Sequence, residues 1–128
     1  SLIEESVAHA RAAGSNGLER LRAYVEHHVA GLCGPSGPIA VLSEVAALSD
    51  PHQRAIRTRV EATTSEITAF IAEGVADGSI RSCDPAVTAR AVTGAINWIP
   101  RWYGVEQPHQ PETVVRTFAD LLADGLTR

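Results

Sequence analysis

The sequence predicts an all-α protein, and three observations carry that reading. Apolar residues recur at helical spacing in nearly every segment, Gly and Pro fall between those segments, and no stretch alternates like a strand. There is no internal repeat and no low-complexity tract.

The elements follow in order. Residues 2–13 carry Leu2, Ile3, Val7 and Ala10 on one face. This pattern starts at the second residue without a clear cap, so the expectation is a chain that begins inside a helix. Gly14-Ser15-Asn16-Gly17 separates it from a helix over 18–32, whose stripe is Leu18, Leu21, Val25, Val29 and Leu32. The breaker run Cys33-Gly34-Pro35-Ser36-Gly37-Pro38 follows, then a short apolar helix at about 39–48. Ser49-Asp50-Pro51 supplies a cap and a first-turn proline for a long helix reaching Asp77 and stopping at Gly78. Asp84-Pro85 caps a fifth helix expected to run to Tyr103, and Pro111-Glu112 opens a last one to about 127.

Composition bounds the function. With 128 residues the chain is one domain, 1–128, large enough to bury about two thirds of its unfolded surface. The net charge is −4 and all eleven basic residues are arginine, with no basic cluster to neutralise phosphates, so this piece is not expected to grip DNA itself. No apolar run approaches the ~20 residues of a membrane span, and the first residues do not read as a signal peptide. Cys33 and Cys83 form no C-x-x-C pair, which favours free thiols in a cytoplasmic protein.

The helix over 85–103 is apolar on two adjoining sectors. Val87, Ala91, Ala95, Trp98 and Trp102 lie on one, and Thr88, Val92, Ile96, Ile99 and Tyr103 on the next. The polar strip is Arg90, Thr93, Asn97 and Arg101. A helix of this kind needs burial on two sides, one against its own core and one against a second surface such as a partner subunit. Each aromatic could remove ~150–250 Å² from water, so the 98–103 end is costly to leave exposed; its rings either meet that second surface or fill the chain's own core. Pro100 cannot donate to Ile96 and crowds that carbonyl. Either the helix kinks there, or it ends near Trp98 and a short turn follows.

No catalytic constellation stands out. There is no G-x-S-x-G, no Gly-rich phosphate loop and no paired carboxylates. The five histidines show no metal-binding spacing, and neither a metal nor a cofactor is expected. His28 differs from His27 in falling at the edge of the Leu21/Val25/Leu32 stripe beside Tyr24, where both could bond backbone or face a ligand. Thr63 and Thr64 interrupt the interior stripe of the long helix. They either bond a carbonyl one turn back or mark the wall of an apolar cavity.

The stretch Ile71-Ala72-Glu73-Gly74-Val75-Ala76-Asp77-Gly78-Ser79-Ile80-Arg81 is followed by Asp84-Pro85, Ala89, Gly94, Asn97-Trp98 and Trp102-Tyr103. Leu121-Leu122-Ala123-Asp124-Gly125-Leu126 then closes the chain. In order and spacing this resembles the C-terminal regulatory domain of the TetR family of bacterial transcriptional repressors. The resemblance implies a six-helix antiparallel bundle and an N-terminal helix-turn-helix domain that this chain lacks, so DNA would be reached only through that domain. It makes residues 2–13 the end of the helix connecting the two domains. It implies a homodimer through a four-helix interface of 85–103 and 111–127, with Trp98, Trp102, Tyr103, Phe118 and Leu122 as interface candidates. It implies an effector pocket, for which Tyr24, His28, Leu42, Thr64, Ile67 and Asn97 are the candidate lining. The effector expected is apolar or amphipathic, with a lean to lipid-like or acyl-CoA-like molecules. Two other readings stand beside it: a helical interaction scaffold without a ligand, and a small metal-dependent enzyme using His28.

Overall fold

The computed structural model describes residues 2–34, 50–104 and 109–128, apart from the side chains at 50–53, 56, 59 and 60. The helices are α1 (Leu2–Ala13), α2 (Gly17–Leu32), α3 (Asp50–Asp77), α4 (Pro85–Asn97), α5 (Ile99–Trp102) and α6 (Pro111–Leu122). A 3₁₀ turn over Asp124–Leu126 follows. Among the described residues the fold is all-α, and its one β feature is an isolated bridge between Ile80 and Thr127. The expected short helix at 39–48 lies outside the described residues.

Local chemistry sets the boundaries. Asn16 is the N-cap of α2, its side chain accepting from the Glu19 N–H at 2.8 Å. Asp84 caps α4 in the same way, accepting from the Val87 N–H at 3.0 Å, with Pro85 in the first turn. Gly78 has φ +87°, a left-handed conformation that ends α3 and lets the Ile80 N–H return to the Gly74 carbonyl.

Neighbouring helices run antiparallel. Ser6 near the start of α1 meets His27 near the end of α2. Gly17 of α2 meets Gly74 of α3, and Arg22 meets Asp120 of α6. The α2–α3 crossing is close enough that a Cβ on Gly17 would overlap the Gly74 backbone and the Phe70 carbonyl. The core between the helices is built from Leu21, Val25, Val29, Ile67, Phe70, Ile71, Ile80, Val92, Ile96 and Ile99, all buried. Asp77 ties the end of α3 to the start of α2, accepting from the Gly17 N–H at 2.8 Å.

Two expected helix ends are corrected. The fifth helix does not continue to Tyr103: α4 stops at Asn97, and Trp98 joins it to the four-residue α5. Pro100 has no N–H to give the Ile96 carbonyl, so the chain leaves the α4 axis at Trp98. The last helix stops at Leu122 rather than about 127, and the chain tightens into the 3₁₀ turn that buries Leu126.

Candidate functional site

Four helices contribute to one small cleft. Ile3 comes from α1, Tyr24 and His28 from α2, Thr63 and Thr64 from α3, and Thr93 and Asn97 from α4. Tyr24 and His28 lie one turn apart on α2 and are buried. The Tyr24 hydroxyl is 2.7 Å from His28 Nδ1, and the rings meet edge to face with centroids 5.3 Å apart. Burial, reinforced by neighbouring His27, pushes the His28 imidazole down to about 4. Burial pushes the Tyr24 hydroxyl well above its ordinary range. Both are therefore neutral near pH 7, because a charge there would lose its hydration.

A neutral imidazole has one donor and one acceptor nitrogen. If Tyr24 donates to Nδ1, Nε2 carries the proton. If Nδ1–H donates, the tyrosine keeps its own. Beyond their mutual bond the pair thus commands one further donor and one further acceptor in either tautomer. On α4, Thr93 Oγ1 donates to the Ala89 carbonyl at 2.9 Å, which leaves its lone pairs toward the cleft as acceptors. The enclosed space is about 20 Å³, room for about one water.

Four of the six expected lining residues meet here: Tyr24, His28, Thr64 and Asn97. Ile67 does not line the cleft; it is fully buried in the core beneath. Leu42 lies outside the described residues. Ile3 and Thr93 were not expected. Thr93 is four residues before Asn97 on the polar strip of α4, and that spacing was the available signal. Ile3 read only as part of an apolar stripe.

Outside the cleft, His9, His27 and His109 make contacts of their own. His27 stacks on His9 with centroids 4.7 Å apart, and its Nδ1 is 2.7 Å from the buried Ser6 hydroxyl. His109 packs edge-on against Trp102. Among the described residues no group of three or more His, Cys, Asp or Glu is placed to hold a metal ion. Nor is any described helix long and apolar enough to cross a membrane.

The candidate interface residues divide into two kinds. Trp102 is half-buried, stacked on Phe118 at 6.2 Å and edge-on to Tyr103 at 6.4 Å. Tyr103, Phe118 and Leu122 are also half-buried against the chain's own core. Trp98 is 58% exposed, with the Arg101 guanidinium 4.4 Å above its ring. Val87 on α4 is 64% exposed and Leu121 on α6 is 69% exposed. Of the first apolar sector, Val87, Ala91 and Trp98 are left uncovered by this chain while Trp102 packs on Phe118; of the second, Val92, Ile96 and Ile99 are buried.

Fold and cleft define a class: an all-helical domain whose antiparallel helices close round a small polar recess. The sequence pattern of the tetracyclin repressor-like C-terminal domain matches residues 14–126, and the chain belongs to that domain family of TetR-type transcriptional regulators. It is similar to a TetR/AcrR-family regulator from Thermobifida fusca, at 26% identity and TM-score 0.76, over 99% of this chain and 69% of that one. It is similar to PfmR, a TetR-family regulator from Thermus thermophilus, at 27% identity and TM-score 0.78, over 99% and 71%. AibR, solved in complex with isovaleryl coenzyme A and operator DNA, matches at 26% identity and TM-score 0.76, over 95% and 67%. The comparison with curated proteins gave no match.

Proposed function

We propose that this chain is the effector-sensing and dimerisation domain of a TetR-type repressor, a cytoplasmic regulator and not an enzyme. One observation carries the reading. Side chains from α1, α2, α3 and α4 converge on a single cleft, so any molecule seated there touches four helices at once. A ligand pocket is usually ~300–1,000 Å³, so the cleft of about 20 Å³ is a closed form that an effector must widen. Widening it parts α1 from the α3–α4 pair. In the proposed full-length repressor, α1 ends the helix that connects to an N-terminal DNA-reading domain, so its displacement alters the spacing of the two DNA-reading heads. The ligand must bind the open form more tightly than the closed one for this to release DNA.

An apolar or amphipathic effector fits, and the complex of AibR with isovaleryl coenzyme A supports the lean to acyl-CoA-like or lipid-like molecules. The uncovered α4 face with Val87 and Trp98 supports a homodimer through α4 and α6. The test is thermal denaturation against a panel of acyl-CoAs and medium-chain lipids. A true effector at 100 times its Kd adds ~2.7 kcal/mol, and Thr64→Val should reduce that gain. A flat response to the whole panel would retire the sensing function.

A further inference from the structure

Resting on the reading of the cleft as the effector site, we infer that the part of the effector seated between Tyr24, His28 and Asn97 is an uncharged carbonyl or hydroxyl group, not a carboxylate or an amine. The described lining carries no arginine, lysine, aspartate or glutamate. Its polar atoms are hydroxyls, an imidazole and a primary amide, groups that offer hydrogen bonds without a counter-charge. An ion seated against the buried Tyr24–His28 pair loses hydration on that side and finds no partner of opposite sign in the described lining, which is costly. A neutral oxygen needs no counter-charge and finds its hydrogen bonds here. The Tyr24–His28 pair supplies a donor in either tautomer, the Asn97 amide supplies donors and an acceptor, and Thr93 supplies an acceptor because its proton is given to Ala89. An alcohol can use both the donors and the acceptors, and a ketone, ester or thioester carbonyl uses the donors without bringing a charge; a carboxylate uses the same donors and keeps its charge unpaired. The low basicity of His28 fits the same pattern, since the ring does not hold a proton to offer an anion.

Three probes of equal chain length, hexanoate, methyl hexanoate and 1-hexanol, isolate the charge. Their affinities are measured by calorimetry at pH 7.5, with the His28 ring nitrogens followed by NMR. The ester and the alcohol should bind at least ~10-fold more tightly than hexanoate and shift the His28 resonances. Tyr24→Phe, which keeps the ring, should weaken the neutral probes several-fold. Asn97→Arg, at an exposed position that tolerates a long side chain, should turn the preference toward hexanoate. Hexanoate binding as tightly as its ester to the unaltered protein would overturn the inference while leaving the cleft as the effector site. Neutral probes that bind without moving His28 or responding to Tyr24→Phe would overturn it by placing their site elsewhere. Silence from all three probes and from the acyl-CoA panel would remove the effector site itself, and the inference with it.

Discussion

The Tyr24 hydroxyl and the His28 imidazole are joined by a 2.7 Å hydrogen bond across one turn of α2, and both rings are removed from bulk water. This makes His28 a titrating group in the wrong place for a proton. Its folded value of about 4 lies below the ordinary 6.5, so the unfolded chain binds the proton first. Stability is therefore full above pH 6.5 and declines as the pH falls toward 4. The decline from this one group amounts to about 3 kcal/mol. Urea unfolding at pH 7, 5.5 and 4.5 measures it. His28→Gln, which keeps a donor and an acceptor, should lose most of the slope in that window. An unchanged slope in the variant would assign it to other groups. Asp77 acts in a lower window: its hydrogen bonds from Ser79 and Gly17 hold its carboxyl below the usual value, so its contribution is lost only as the pH falls further.

The helix crossing at Gly17 allows no side chain. Gly17→Ala should cost at least about 2 kcal/mol, because the added methyl meets backbone of α3 and not a movable side chain. Thermal or urea denaturation decides it, and a loss under about 0.5 kcal/mol would mean that the helices separate more easily than their contact indicates.

Trp102 is held by Phe118 and Tyr103 within the chain. Trp102→Ala should lower stability by about 2–4 kcal/mol, even at protein concentrations where no dimer forms. Equilibrium unfolding across a dilution series separates this from an interface effect. If the loss vanished on dilution, the ring's main partner would be another chain.

Trp98 presents the opposite expectation. More than half of it is uncovered, so Trp98→Glu should change the stability of the isolated chain by no more than about 0.5 kcal/mol. On the proposed dimer, the same change buries a charge against an apolar partner and weakens association by at least ~10-fold. Light scattering or sedimentation reads the assembly. A dimer of undiminished strength would move the interface off this face.

Much of the fold is legible in the sequence because its boundaries are local chemistry. Asn16, Asp84-Pro85 and Gly78 act within a turn of where they stand, and they mark α2, α4 and the end of α3 where expected. The residues after Trp98 were harder. Periodicity runs unbroken from Val87 to Tyr103, whereas Pro100 acts on the backbone and not on the pattern, leaving kink and break equally compatible with the spacing. The end of α6 hid for the same reason, since Leu126 keeps the helical interval although a tighter turn delivers it to the core. In the cleft, Tyr24, His28, Thr64 and Asn97 were legible as polar groups at the margin of apolar stripes. Ile67 shares the stripe of Thr63 and Thr64, but its position on the helix aims it into the packed interior. Periodicity finds the buried face of a helix and cannot divide that face between packing and void.

The end of the chain is fastened to its middle. The Arg81 N–H donates to the Leu126 carbonyl at 2.8 Å, beside the bridge between Ile80 and Thr127. The segment carrying α4, α5 and α6 is thus a loop clasped at its neck, rooted where α3 ends. Its two limbs lie against different helices, α4 on α3 and α6 on α2 through the Arg22–Asp120 ion pair. If the cleft takes an effector as proposed, the residue it meets, Asn97, is joined by a single peptide bond to Trp98 on the uncovered outer surface.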